Sequence, residues 1–232
     1  MEPKYKVVYQ SILNDIVNHK YETKLPTEEE LINTYNVSRN TVRKAIDVLT
    51  KQGYILPIQG SGMFLRDFDH SGYINLEQFK GLSSNTSSVL TTAVLKVELI
   101  EHDEKIAAAM KCSPDTKFYH VCRLRLLDGE PFVLEYSYFN KTLIPYLNEE
   151  LAQKSIYSYI QNDLGLEIGF VDRLISAEKL SKEHAEILKL EENDPTLVST
   201  NKALLKNGEI IDYSINYHNY KTTKFLKLSN FN

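Results

Sequence analysis

Between residues 5 and 49 the apolar positions recur with helical spacing. Tyr5, Val8, Ile12 and Ile16 lie three or four apart and predict the buried stripe of a first helix that starts just after Pro3. Leu31, Ile32 and Tyr35 carry a second, short helix. The run Thr27-Glu28-Glu29-Glu30 ahead of it reads as a capping box, with Thr27 capping the backbone and Glu30 reaching back. Asn36 suits a left-handed terminator. Val42, Ala45, Ile46 and Leu49 repeat at i, i+3, i+4 and i+7, which predicts a third helix, N-capped by Ser38 and stopped at Gly53. The joint Asn36-Val37-Ser38 is so short that the second and third helices form a helix-turn-helix. The period then changes. Tyr54-Ile55-Leu56 and Met63-Phe64-Leu65 are short β-like runs around residues 57–62, a hairpin whose Gly-containing tip adds a wing.

Residues 66–92 lose this pattern. Residues 66–72 are polar and residues 81–88 Ser-rich, so the stretch reads as a linker with a short helix around residues 74–79. Beyond it, residues 94–100 predict a strand and 103–110 a short helix. Residues 117–127 and 132–139 alternate apolar and polar positions around Asp128-Gly129, the strongest short hairpin signal. Helices are expected over 156–164 and 182–190, and a second strand pair over 197–205 and 210–220 around Asn207-Gly208. Strand pairs interleaved with helices predict an α+β domain on an antiparallel sheet. The expected organisation is a winged helix at 1–66, a linker at 67–92 and a second domain at 93–232.

Composition adds exclusions. Of 232 residues, 42% are hydrophobic and 25% charged, which is ordinary for a globular chain. No run approaches the ~18 apolar residues of a membrane helix. The start Met1-Glu2-Pro3-Lys4-Tyr5 lacks an apolar signal region, so a cytoplasmic protein without a membrane partner is expected. Cys112 and Cys122 are too few for a disulfide framework or a zinc cluster and read as packed thiols, so neither metal nor cofactor is expected. The net charge of −4 is divided unevenly. Residues 1–66 hold nine Lys/Arg against seven Asp/Glu, and residues 67–232 hold eighteen against twenty-four. A mildly basic head on an acidic body permits nucleic-acid binding without requiring it.

Candidate chemistry sits in both parts. Arg39, Asn40, Arg43 and Lys44 fall opposite the apolar stripe in the first two turns of the third helix. A short helix with a basic, amide-bearing N-terminal face is the shape that enters a DNA major groove. Gly60 and Gly62 let the wing backbone approach a phosphate or the minor groove, although Gly-Ser-Gly alone reads equally as a plain turn. In the second domain Arg123 and Arg125 stand two apart on one strand and so share a face. Two guanidinium groups there suit a phosphate or carboxylate; the alternative is solvated arginines, or arginines paired with Glu135 across the hairpin. Glu135 and Asp212, each followed by Tyr, would accept sugar hydroxyls or decorate a solvent face. His120 reads as a satisfied core residue. No nucleophile elbow, metal-ligand spacing, phosphate loop or acid–base pair is found, so an enzyme is not expected.

The residues also carry a family likeness. Leu25-Pro26-Thr27-Glu28, Val37-Ser38-Arg39-Asn40-Thr41-Val42-Arg43 and Gln59-Gly60-Ser61-Gly62-Met63-Phe64 resemble the GntR-type bacterial winged helix over residues 4–66. That likeness implies base or phosphate contacts from Ser38, Arg39, Thr41 and Arg43 and a wing tip at Gly60. With Asn40, Lys44, Gln59 and Ser61 beside them, these form the candidate DNA-binding set. The chain departs from the likeness at Glu29, where a basic residue is frequent, at Ser61, where Lys is frequent, and in the loop before Leu25, which lacks the usual Gly. Fewer phosphate contacts imply a shallower salt dependence.

Residues from about 79 to 228 resemble the UTRA effector domain of the HutC-like subfamily. The likeness runs through Arg123-Leu124-Arg125, Asp128-Gly129-Glu130-Pro131, Leu134-Glu135-Tyr136-Ser137-Tyr138, Ser155-Ile156-Tyr157 and Gly208-Glu209-Ile210-Ile211-Asp212-Tyr213-Ser214. It implies a chorismate-lyase-like fold that binds a small metabolite, often a phosphosugar, and dimerises. By position, Arg123, Arg125, Ser83, Ser84 and Ser155 would hold the anionic group, and Glu135 and Asp212 sugar hydroxyls. Glu is common where Asp212 stands, and an aromatic residue near His218, which completes the candidate effector set. The expectation is a homodimeric repressor of a carbohydrate operon, bound to double-stranded operator DNA and released by a phosphosugar. The alternatives are a sensor of a non-sugar organic acid such as urocanate, and a DNA-tethered lyase-like enzyme.

Overall fold

Helices α1 (Lys4–Val17), α2 (Glu28–Tyr35) and α3 (Arg39–Lys51) close on one another in the computed structural model, which describes residues 3–66, 73–76 and 89–227. Their apolar stripes meet: Val8, Ile12, Leu13 and Ile16 of α1, Leu31 of α2, and Val42, Ala45 and Leu49 of α3 are buried together. The capping box is present, with Thr27 N donating to Glu30 Oε2 at 2.7 Å and Glu30 N to Thr27 Oγ1 at 3.3 Å. Asn36 ends α2 at φ 48°, and the Ser38 hydroxyl accepts from Thr41 N to open α3. Strand β1 (Ile55–Ile58) pairs antiparallel with β2 (Gly62–Leu65), and Ile55, Met63 and Leu65 pack against the helices. The wing has a third member. Leu25 N donates to Met63 O and Leu65 N to Thr23 O, so the approach to α2 lies along β2.

Strand β3 (Tyr73–Asn75) pairs with a strand near the C-terminus, Lys224–Leu226. This corrects the helix expected at 74–79: residues 73–75 are extended, because their hydrogen-bond partner arrives from about 150 residues away, beyond any local pattern. Residues 77–79 lie outside the described residues. The chain divides into one unit of residues 1–78 with 225–232 and another of residues 79–224.

The second unit is built on an antiparallel six-stranded sheet. Its strands are β4 (Leu90–Ile100), β5 (Phe118–Leu127), β6 (Glu130–Asn140), β7 (Ile168–Lys179), β8 (Pro195–Leu205) and β9 (Ile210–Asn219), in spatial order β4-β5-β6-β9-β8-β7. The β5–β6 turn places Asp128 at φ 51° and Gly129 at φ 86°, the paired left-handed conformation that a two-residue hairpin requires. One face carries α4 (Glu104–Met110) over Phe118 and α7 (Lys182–Leu188) over Cys122 and Leu134. Because side chains alternate along a strand, Tyr119, Val121 and Phe139 point the other way. They pack under a covering segment of residues 144–166 that contains α5 (Glu149–Gln153) and α6 (Ile156–Ser158).

Two further expectations are corrected. The helix anticipated at 156–164 is one turn of α6 followed by a π-helical turn over Tyr159–Asp163, in which Leu164 N bonds Tyr159 O. Ile156, Tyr157 and Ile160 all pack in the cluster on this face of the sheet. Strand β7 was not anticipated, because its apolar residues fall in adjacent pairs, Phe170-Val171 and Leu174-Ile175, instead of alternating: Phe170 and Leu174 are exposed on one face while Val171 and Ile175 take the other.

Candidate functional site

The exposed arc of α3 carries Arg39, Asn40, Arg43 and Lys44, as the pattern implied. Ser38 and Thr41 serve the helix start, their hydroxyls 2.9 Å apart. Arg43 is already oriented: its Nε donates to both carboxylate oxygens of Glu28 at 3.2 and 3.1 Å. Both partners are exposed enough that the pair adds little stability. Its effect is to aim a guanidinium from α3 using α2. Glu28 was legible only as part of a capping sequence, and no local signal links it to a residue fifteen positions on. At the wing, Gln59, Gly60 and Ser61 are exposed at the tip, with Gly60 at φ 76° and Gly62 at φ 111°.

In the second unit the sheet register assembles a polar floor. Arg123 faces Glu135, Glu135 faces Asn216, and Asn216 faces Ser199. The adjacent row continues from Ser137 through Ser214 and Asn201 to Arg173. Arg123 Nη2 lies 2.7 Å and Arg125 Nη1 3.8 Å from Glu135 Oε2, all three side chains being buried. The arginines converge on one face and share Glu135, the cross-hairpin pairing that the sequence offered as an alternative. Arg123 also donates to the carbonyls of Ala152 at 3.0 Å and Lys154 at 3.5 Å, gripping the covering segment just ahead of Ser155. Ser155 itself is exposed and caps α6, accepting from Ser158 N. Ser83 and Ser84 lie outside the described residues.

Asp212 is 1% exposed and accepts a 2.6 Å hydrogen bond from Tyr157 Oη. Burial pushes its carboxyl up to about 7, against the opposing pull of the Tyr157 bond and the Arg123 charge. His218, also buried, shares a 2.8 Å contact between Nε2 and Ser199 Oγ. Burial, helped by Arg173, pushes it down to about 3, so the ring is neutral at ordinary pH. Arg173 Nε donates to Asn201 Oδ1 at 2.7 Å. The floor thus holds three guanidinium groups against Glu135 and an Asp212 whose burial resists ionisation, an excess of positive charge suited to an anion, with neutral hydroxyl and amide groups alongside for polar substituents.

The sequence reading missed Arg173, Ser199 and Asn201, and quoted Tyr157 without a role. Ser199 and Asn201 did leave a trace, as part of the polar run Ser199-Thr200-Asn201-Lys202 inside an otherwise apolar strand. Arg173 left none, because exposed Phe170 and Leu174 on either side of it hide the alternation of its strand. His120 is on the opposite face, stacked on Tyr138 with centroids 4.7 Å apart and bonded to Glu98 at 2.9 Å, and stays out of the site. Both cysteines are free thiols. Among the described residues no cluster has the makings of a metal site, and no helix is long and apolar enough to cross a membrane.

Comparison with known proteins follows the same division. The family model for bacterial regulatory proteins of the gntR family matches residues 4–65, and the UTRA domain model matches residues 86–224. The chain is 32% identical over 230 residues to an uncharacterized HTH-type transcriptional regulator, YydK, of Bacillus subtilis, covering 98% of each protein. The crystal structure of that protein superposes with a TM-score of 0.83 over 99% of this chain and 100% of the other. The chain is 26% identical to the mannosyl-D-glycerate transport/metabolism system repressor MngR of Escherichia coli, covering 97% of this chain and 95% of that one. The effector binding domain of the Bacillus subtilis trehalose repressor (TreR) matches 61% of this chain and 99% of its own length, at 30% identity and a TM-score of 0.56.

Proposed function

The chain belongs to the GntR family of bacterial regulatory proteins, a DNA-binding transcriptional regulator with a UTRA domain behind its winged helix, and from that premise we propose that it represses a carbohydrate-utilisation operon in the cytoplasm until a phosphosugar releases it. The observation that carries this reading is the buried floor where Arg123, Arg125, Glu135 and Asp212 share one sheet face. The phosphate takes Arg123 and Arg125, with Ser155 beside them. Sugar hydroxyls take Glu135, Asp212 and His218. Two copies pair through the effector domains and set their α3 helices in successive major grooves, about 34 Å apart on a palindromic operator. Arg39 and Arg43 reach bases or phosphates, with Asn40 and Lys44 flanking them. Ser38 and Thr41 fix register, and the tip at Gln59, Gly60 and Ser61 lies by the minor groove. Support also comes from relatives named for trehalose and mannosyl-D-glycerate.

The test is thermal unfolding of the full chain against a panel of phosphosugars and small organic acids. A ligand present at 100 times its dissociation constant adds about 2.7 kcal/mol of stability. The expected result is a shift from one or more phosphosugars that is lost in Arg125→Ala. A shift confined to organic acids, or one that survives Arg125→Ala, overturns the phosphosugar reading.

A further inference from the structure

A wing lying against a nucleic acid meets phosphates, and each phosphate neutralised by a cation releases counterions and strengthens binding. This wing has no charge of its own: residues 53–65 include no Asp, Glu, Lys, Arg or His. Its outer face is apolar, with Leu56 50% and Ile58 44% exposed, and Phe64 paired opposite Leu56 on the same side. Among the described residues, Lys24 brings a cation to that face from another part of the chain. Lys24 bridges Phe64 in the strand-like approach to α2, and its ammonium passes 4.3 Å from the centre of the Phe64 ring. It ends at the wing tip, where Nζ donates to the Ser61 carbonyl at 2.9 Å while the residue remains exposed. An ammonium has three donors, so one bond to Ser61 holds the charge at the tip with donors left for phosphate oxygens. The aromatic ring beneath adds a cation–π contact that favours the same position.

We propose that Lys24 is the phosphate-binding residue of the wing, supplying from the α1–α2 loop the positive charge that the hairpin lacks. The inference rests on the DNA-binding reading of the head. A second cation site outside α3 makes contact with the backbone beside the groove that α3 reads, so it strengthens binding without choosing sequence.

The experiment uses the full chain and a DNA duplex enriched by it from a random-sequence library, with affinity measured across salt concentrations. Lys24→Gln keeps a donor and a similar length but removes the charge. The expected result is weaker binding, with the slope of log K against log salt reduced by about 0.9 for each bound head. Lys24→Arg should retain the slope, and adding Ser61→Lys to the Lys24→Gln variant should restore it by returning charge to the tip. Weaker binding with an unchanged slope would make Lys24 a prop for the wing and overturn the proposal, as would unchanged binding. Failure to enrich any duplex would instead overturn the DNA-binding reading on which it stands.

Discussion

At position 43 a guanidinium is aimed before any DNA arrives, because Glu28 holds its Nε with both carboxylate oxygens. Arg43→Ala should reduce operator affinity by ~10-fold or more, the usual worth of one specific contact, while thermal unfolding and effector binding stay as in the parent. Unchanged DNA binding in a gel-shift or anisotropy titration would remove α3 from its role. At position 212 the residue scale yields a pH signature. Asp212 in the folded chain keeps a proton to about pH 7, where the unfolded carboxyl releases it near 3.8, so its contribution to stability is lost as pH rises between those values. His218 runs the other way: the folded ring stays neutral down to about 3 while the unfolded one charges below 6.5, so stability is lost as pH falls. The two slopes oppose each other from about pH 4 to 6.5. Asp212→Asn removes one of them, so the variant's unfolding midpoint should gain on the parent's from pH 4 to 7 and run level above that. A difference that stays constant with pH would show that the carboxyl is not buried as described. That Arg123 and Arg125 share a face was plain from their spacing. That they sit under cover with Asp212 and Tyr157 was not, because burial depends on which segment lies over the sheet.

The elements whose stabilising contacts are local are those that the sequence announced. Thr27 with Glu30, Asn36, Ser38 and the Val42-Ala45-Ile46-Leu49 stripe all act within one or two turns, and the Asp128-Gly129 hairpin turn is likewise set by two adjacent residues. Ser38→Ala should cost ~1 kcal/mol through the lost cap, read as a lower denaturation midpoint of the head, and Leu49→Ala, which opens a cavity at a fully buried site, ~2–5 kcal/mol. If Ser38→Ala costs as much as Leu49→Ala, the hydroxyl does more than cap. The elements missed share the opposite property. Strand β3 depends on a partner from the far end of the chain, β7 sets apolar Phe170 and Leu174 on an exposed face so that no alternation marks it, and no local signal marks the π-helical turn after α6.

For the whole molecule the consequence is linkage between head and effector domain. If the effector lowers operator affinity by some factor, operator DNA must lower effector affinity by the same factor. Effector titrations with and without saturating operator should therefore show the shift seen in operator titrations with and without saturating effector; unequal factors would mean that a third state or a change of assembly intervenes. The first three helices, their caps, the hairpin turns and the residue types of the exposed α3 face follow from the sequence alone, because periodicity, capping and turn chemistry act over a few residues. Only the tertiary structure decided that Glu28 aims Arg43, that Lys24 crosses to the wing tip, and that Arg173, Asn201, Ser199 and Tyr157 join the arginines on one floor. Those contacts join residues from 15 to more than 50 positions apart or lie across neighbouring strands, and strand order and burial are set by the packing of the whole sheet.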